Sequence, residues 1–279
     1  DPEARGHGTK MVCVATQGTT ALKAVLLTTS SVNDVMEAID DAVSRGAKVI
    51  NVSLGMEGLF GWVAADMFAA AVKKHPKVLF VTAAGNESAD IFGWNSTTKF
   101  SRKKPDNLLV VASGTAKGEL WGQSNHNNRY VSFAAPGFSD GPDGTSIAAA
   151  NVTNLAGKLL AICPKLTLPQ LMDVIRLTAD QTDHWAQYVR HGVINPKRAM
   201  LLAGLLELTR RGESARAACE RLGLQPLERQ HLIGLMTEIP SVSATGALST
   251  PHATNVQILR SCDPGWDTTC PPQFHTEAC

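Results

Sequence analysis

The chain has 279 residues, 44% of them hydrophobic and 18% charged, with a formal net charge of +1. This is the balance of an ordinary globular protein, long enough for one large domain plus an appendage. Without a long Lys/Arg run, nucleic acid and anionic membrane surfaces are excluded as obvious partners, and the apolar runs stop short of the ~18 residues that a membrane span needs.

In chain order, HGTKMV at 7–12 reads as a turn entering a helix, and LKAVLL at 22–27 as a buried strand. Val32, Val35, Met36, Ile39, Ala42 and Val43 then recur at helical spacing, with Ser31 and Asp34 at the expected cap and Gly46 at the expected stop. KVINVSLG at 48–55 predicts a strand and WVAADMFAAAVKKH at 62–75 a helix. KVLFVTAAGN at 77–86 and NLLVVASG at 107–114 predict two further strands. These strands are apolar on both faces and alternate with helices, which is the signature of a parallel sheet covered on both sides. The fold class is therefore α/β, doubly wound, with a mostly parallel sheet. After residue 146 the pattern turns helical through NPKRAMLLAGLLELTRRG, SARAACERLG and LERQHLIGLMTEI. From about Pro240 it becomes Ser/Thr/Pro-rich and loses its periodicity. The implied organisation is a main domain over 1–201, a helical extension over 202–239 and an irregular tail over 240–279. No signal peptide precedes the globular pattern, and residue 1 is expected to fall inside a domain.

Three short motifs stand at functional turns of such a sheet: HGT at 7–9, AAGN at 83–86 and GTS at 144–146. In open α/β sheets the ligand crevice lies at the carboxyl ends of the strands. A serine at a helix start has backbone N–H groups free to meet an oxyanion. An imidazole can take the serine proton, and an Asn amide can supply a second oxyanion donor. Taken singly, each residue has a plainer reading. Ser146 suits a helix N-cap, Asn86 a turn or the Asn86-Glu87-Ser88 glycosylation sequon, His7 a solvated histidine, and Ser53 with Gly55 the end of a strand.

Together, His-Gly-Thr, Ala-Ala-Gly-Asn and Gly-Thr-Ser in that order resemble the subtilisin-like serine proteases, the subtilases. The likeness runs from about residue 6 to 201 and includes NVSLG at 51–55 and HGVINPKRAM at 191–200. The resemblance implies a serine endopeptidase with His7 as general base, Ser146 as nucleophile and Asn86 in the oxyanion hole. It also implies that Ser53, Leu54 and Gly55 pair with a polypeptide substrate as an added strand. This chemistry calls for no cofactor and no metal, and the family weakly favours a secreted or extracytoplasmic location. Oligomeric state is not indicated.

The family order places an Asp roughly 30 residues before the His, at the end of an interior parallel strand. Asp1 lies only six residues before His7 and outside any apolar strand. Asp40, Asp41 and Asp143 fit no better, so the carboxylate and its strand are expected upstream of this chain. Ala150, followed by Asn151, stands where the family usually has a Pro, the segment from Pro136 to Gly144 is short, and no Gly-rich stretch follows LKAVLL. These departures keep an alternative open, a catalytically inactive subtilase-like protein that binds peptides or serves as a scaffold. Of the six cysteines, Cys13 and Cys163 sit in helical patterns where free buried thiols are common. A Cys262–Cys270 disulfide would suit an exported protein, whereas the spacing of Cys262, Cys270, His275 and Cys279 matches no common zinc pattern.

Overall fold

The computed structural model describes residues 2–29, 32–53, 61–91, 104–137, 144–240 and 254–261. Within them, strands β1 (Leu22–Thr29), β2 (Val49–Val52), β3 (Leu79–Ala83), β4 (Leu108–Gly114), β5 (Phe133–Pro136) and β6 (Thr254–Ser261) form one sheet. Its order is β1-β6-β2-β3-β4-β5, and every pairing is parallel. The doubly apolar strands are legible as such. Val49, Leu79, Val81, Leu109 and Val111 point to one core layer, and Ile50, Val52, Phe80, Leu108 and Val110 to the other. The period of two along each strand separates the two sets.

Helices α2 (Val32–Ser44) and α3 (Gly61–Lys74) cover the second layer, where Ile39, Phe68 and Val72 are fully buried. Phe68 meets Phe80 edge-on, with ring centroids 6.2 Å apart. Helix α4 (Gly144–Ile162) lies across the first layer, backed by α5 (Leu168–Thr178) and α6 (Pro196–Arg210). Local chemistry starts these helices. Thr167 and Gln170 close a capping box around Pro169 in α5, and the Asn195 side chain accepts from Arg198 N at 2.9 Å beside Pro196 in α6.

Several expectations need correction. His7 does not precede a helix: it lies inside α1 (Pro2–Thr16). Strand β5 carries the sequence FAAP, too short and too rich in Ala to register as a strand pattern. Helix α6 runs through residue 201 without a break, and α7 (Ala215–Arg221) and α8 (Pro226–Glu238) send Ala218, Cys219 and Leu232 into the core shared with β3 and β4. The expected helical extension is thus packed on the main core.

The expected irregular tail also contributes a strand. β6 lies between β1 and β2, with Val256 beside Ala24 on one side and Val49 on the other. There it pairs with both neighbours, so the backbone groups that β1 and β2 turn towards it are not orphaned. Cys13 is disulfide-bonded, contrary to the reading of a free thiol, whereas Cys163 and Cys219 are free and buried. The proposed cap at Ser31 and the residues Cys262, Cys270, His275 and Cys279 lie outside the described residues. Among the described residues no helix is long and apolar enough to cross a membrane.

Candidate active site

The sheet is parallel, so the segments leaving β2 and β3 emerge at one end, where α4 also begins. Ser53 follows β2 directly and is 4% exposed. Its hydroxyl donates to the Ser146 carbonyl at 3.3 Å and accepts from Asn51 Nδ2 at 2.9 Å. Thr153, two turns along α4 from Ser146, donates its hydroxyl to Asn51 Oδ1 at 2.9 Å. A buried polar chain therefore ties β2 to the helix that carries Ser146. Each of these groups would be costly to bury alone, so their mutual pairing sets the register of helix against strand.

Ser146 is the third residue of α4 and is 8% exposed. At that position its N–H belongs to the first helical turn, whose donors have no partner within the helix. Its neighbour Thr145 locks Asn86. The Asn86 Oδ1 accepts from Thr145 N at 3.1 Å and from Thr145 Oγ1 at 2.7 Å, while Thr145 Oγ1 accepts from Gly85 N at 3.2 Å. With its oxygen committed to Thr145, the Asn86 carboxamide can offer a ligand only its Nδ2 donor.

The turn after β3 is organised by a residue that the sequence reading passed over. Asn125, fully buried, donates to Ala84 O at 3.0 Å and accepts from Ala89 N at 2.9 Å and Glu87 N at 3.1 Å. Its Nδ2 also contacts Glu87 Oε2. Gly85 sits at φ +103°, and a Cβ there would fall 2.4 Å from Asn125 Nδ2. Only glycine allows the Asn125 amide so close. Trp121 acts similarly on the other flank, since a Cβ at Gly144 would lie 2.1 Å from its ring. Neither Asn125 nor Trp121 belongs to a short motif. Each acts across more than twenty residues, so no local signal marks it.

His7 lies on α1, the helix that packs against α4. Met11, one turn beyond His7 on the same helical face, is buried together with Val14 and Ala15 against Ile147 and Ala150 of α4. These two residues are one and four places after Ser146. Ala150, one of the departures from the family pattern, is fully buried in this contact. Asn151, the other, donates to Pro136 O at 2.7 Å. The structure thus joins Ser53, Asn86, Thr145 and Ser146 by hydrogen bonds, and packs the His7 helix against the Ser146 helix. Leu54 and Gly55 lie outside the described residues.

The cell wall-associated protease of Bacillus subtilis (strain 168) is 27% identical over 150 residues, which are 50% of this chain and 15% of that protein. The chain thus spans a small part of that relative's length. Among solved structures, that of the subtilase cytotoxin SubAB assembly superposes with a TM-score of 0.61 at 21% identity, covering 76% of this chain and 82% of the other. A lanthipeptide protease gives a TM-score of 0.53 at 21% identity, covering 70% of this chain and 74% of its own. These likenesses carry the fold. The sequence model of the subtilase family matches residues 2–192, well over half of the chain, and on that ground this chain belongs to the subtilase family.

Proposed function

We propose that the chain forms the His- and Ser-bearing part of a serine endopeptidase. The observation that carries this reading is the clamp on Asn86: Thr145 holds the amide oxygen immediately beside Ser146 at the start of α4. In this reading Ser146 Oγ attacks the carbonyl carbon of a polypeptide substrate while His7 takes the hydroxyl proton. The negative charge moves to the carbonyl oxygen, where Asn86 Nδ2 and the Ser146 N–H receive it. Collapse of the tetrahedral intermediate breaks the C–N bond as His7 returns the proton to the leaving amine. Water then hydrolyses the acyl-enzyme by the same route. The substrate backbone lies beside Ser53, Leu54 and Gly55.

The carboxylate that orients His7 comes, in this proposal, from an upstream strand. That strand takes the interior position between β1 and β2 that β6 occupies here. The disulfide at Cys13 supports an oxidising, extracytoplasmic location.

The test is labelling of the full-length protein with a fluorophosphonate probe. Stoichiometric labelling that disappears in Ser146→Ala is the expected result, with Asn86→Ala slowing peptide hydrolysis by about 100- to 1000-fold. A folded full-length protein that binds peptides but takes up no label would overturn the catalytic reading in favour of a non-catalytic peptide-binding role.

A further inference from the structure

At the opposite end of the sheet, where β4 begins and the chain approaches β5, a cleft of about 480 Å³ opens to solvent. Its walls carry Lys104, Arg129, Arg176 and Arg190, with Asp106 as the one carboxylate among the lining residues. Arg176 is paired with Asp173 at 3.1 Å. Among the described residues, Arg129 and Arg190 have no carboxylate partner, and Arg129 rests over the Tyr130 ring at 5.5 Å. Counting Asp106 and Asp173 against the four cations leaves two positive charges among the described residues around the cleft while His191 is neutral.

His191 and Lys104 register this crowding. Burial, reinforced by Arg190, Arg176 and Lys104, pushes the His191 imidazole down to about 4. Burial, reinforced by Arg190 and opposed by Asp106, pushes Lys104 down to about 8. Like charges gathered in a concave, partly desolvated space are unfavourable by themselves, and an anion relieves them. Guanidinium groups present paired donors that fit the oxygens of a phosphoryl group, and a phosphate monoester carries close to two negative charges at neutral pH. The cleft volume suits a small molecule. Tyr130 and Met172 add an apolar wall beside the cationic one.

We propose that this cleft binds a phosphorylated small molecule, with the phosphoryl group seated between Arg129 and Arg190 and its organic part against Tyr130 and Met172. The site is separate from the Ser146 region, which lies at the carboxyl ends of the strands. Occupancy would brace β4, β5 and α5 against one another and act as a stabilising switch independent of catalysis.

Phenyl phosphate is the probe, titrated into the full chain at constant ionic strength and followed by calorimetry and thermal melting. Saturable binding with a raised Tm is expected, with about tenfold weaker binding in Arg190→Gln and in Arg129→Gln, since each removes a charge-assisted contact. Each variant is first melted without probe, so that a folding defect is separated from a binding defect. Inorganic phosphate should bind more weakly than phenyl phosphate if Tyr130 and Met172 contribute. Lack of saturable binding to the wild-type chain would overturn the proposal, as would equal binding by both folded variants. Preferential binding of hexaglutamate would overturn it in favour of an acidic peptide.

Discussion

At the carboxyl end of the sheet, Asn86, Thr145, Asn125 and Ser53 are linked to neighbouring groups by short-range hydrogen bonds. At the amino ends of β4 and β5, Arg129, Arg176, Arg190 and Lys104 instead surround a cleft with, among the described residues, too few carboxylates to neutralise them. One end commits its polar groups to geometry, so that in the proposed reading the donors beside Ser146 are placed before a substrate arrives. That is what preorganised stabilisation of a developing charge requires. The other end leaves charge uncompensated, so solution conditions act on it directly: pH through His191, and anions through the guanidinium groups. The same sheet thus supports one rigid region and one responsive region.

The largest expected effect breaks the rigid end. Asn125→Ala removes the partner of the buried Ala84 O, which costs about 1–3 kcal/mol, and frees the more accessible Glu87 N and Ala89 N to water. Urea denaturation should show a clear fall in midpoint, and fluorophosphonate labelling should slow with it. An unchanged midpoint would mean that Asn125 does not hold this turn.

Gly85→Ala probes the same turn from the backbone. A side chain at φ +103° that presses on Asn125 costs about 1–3 kcal/mol, read from the same denaturation curves. Combining the two substitutions should cost less than their sum, because removing the Asn125 amide relieves the contact.

The responsive end is tested by acid. The folded His191 titrates near 4, below the ordinary imidazole value of 6.5, so the unfolded chain binds the proton first. Stability is therefore fully retained above about pH 6.5 and falls as the pH drops towards 4. Melting temperatures measured across that window should decline less steeply in His191→Asn than in the parent. Parallel curves would remove His191 from the account.

A surface cluster of three residues gives the smallest effect. Hydrogen bonds from Lys74 and His75, each 2.6 Å from the Asp40 carboxylate, hold its pKa below the usual range. The stability from this pairing is present above the unfolded pKa and is lost as pH falls through the lower folded value. The group is largely exposed, so Asp40→Asn should change stability by less than about 1 kcal/mol at neutral pH. A larger change would show that the α2–α3 surface contributes more than its exposure suggests.

The fold was legible where the pattern is local and repetitive. β2, β3 and β4 announce themselves by Val and Leu on both faces, and α2 by apolar residues at helical spacing. β5 was not, because Phe-Ala-Ala-Pro has little intrinsic preference for a strand and is held there by its pairing with Val111 and Ala112. His7, Asn86 and Ser146 were recognisable as motif residues, yet the partners that set their geometry were not. Asn125 acts on Glu87 across 38 positions and Thr153 on Asn51 across 102, and neither spacing leaves a periodic trace.

The sequence by itself determined the alternation of strands and helices, the order of the three motifs and, through them, the family. Near-neighbour propensity and the burial of apolar faces act within a dozen residues, and those forces can be read along the chain. Tertiary structure alone decided that residues 254–261 enter the sheet between β1 and β2, that α1 is laid against α4 through Met11 and Ile147, and that four cations meet around one cleft. Strand partners and charge clusters depend on which distant segments the closed sheet brings side by side, and backbone pairing and Coulomb energy act on distance in space.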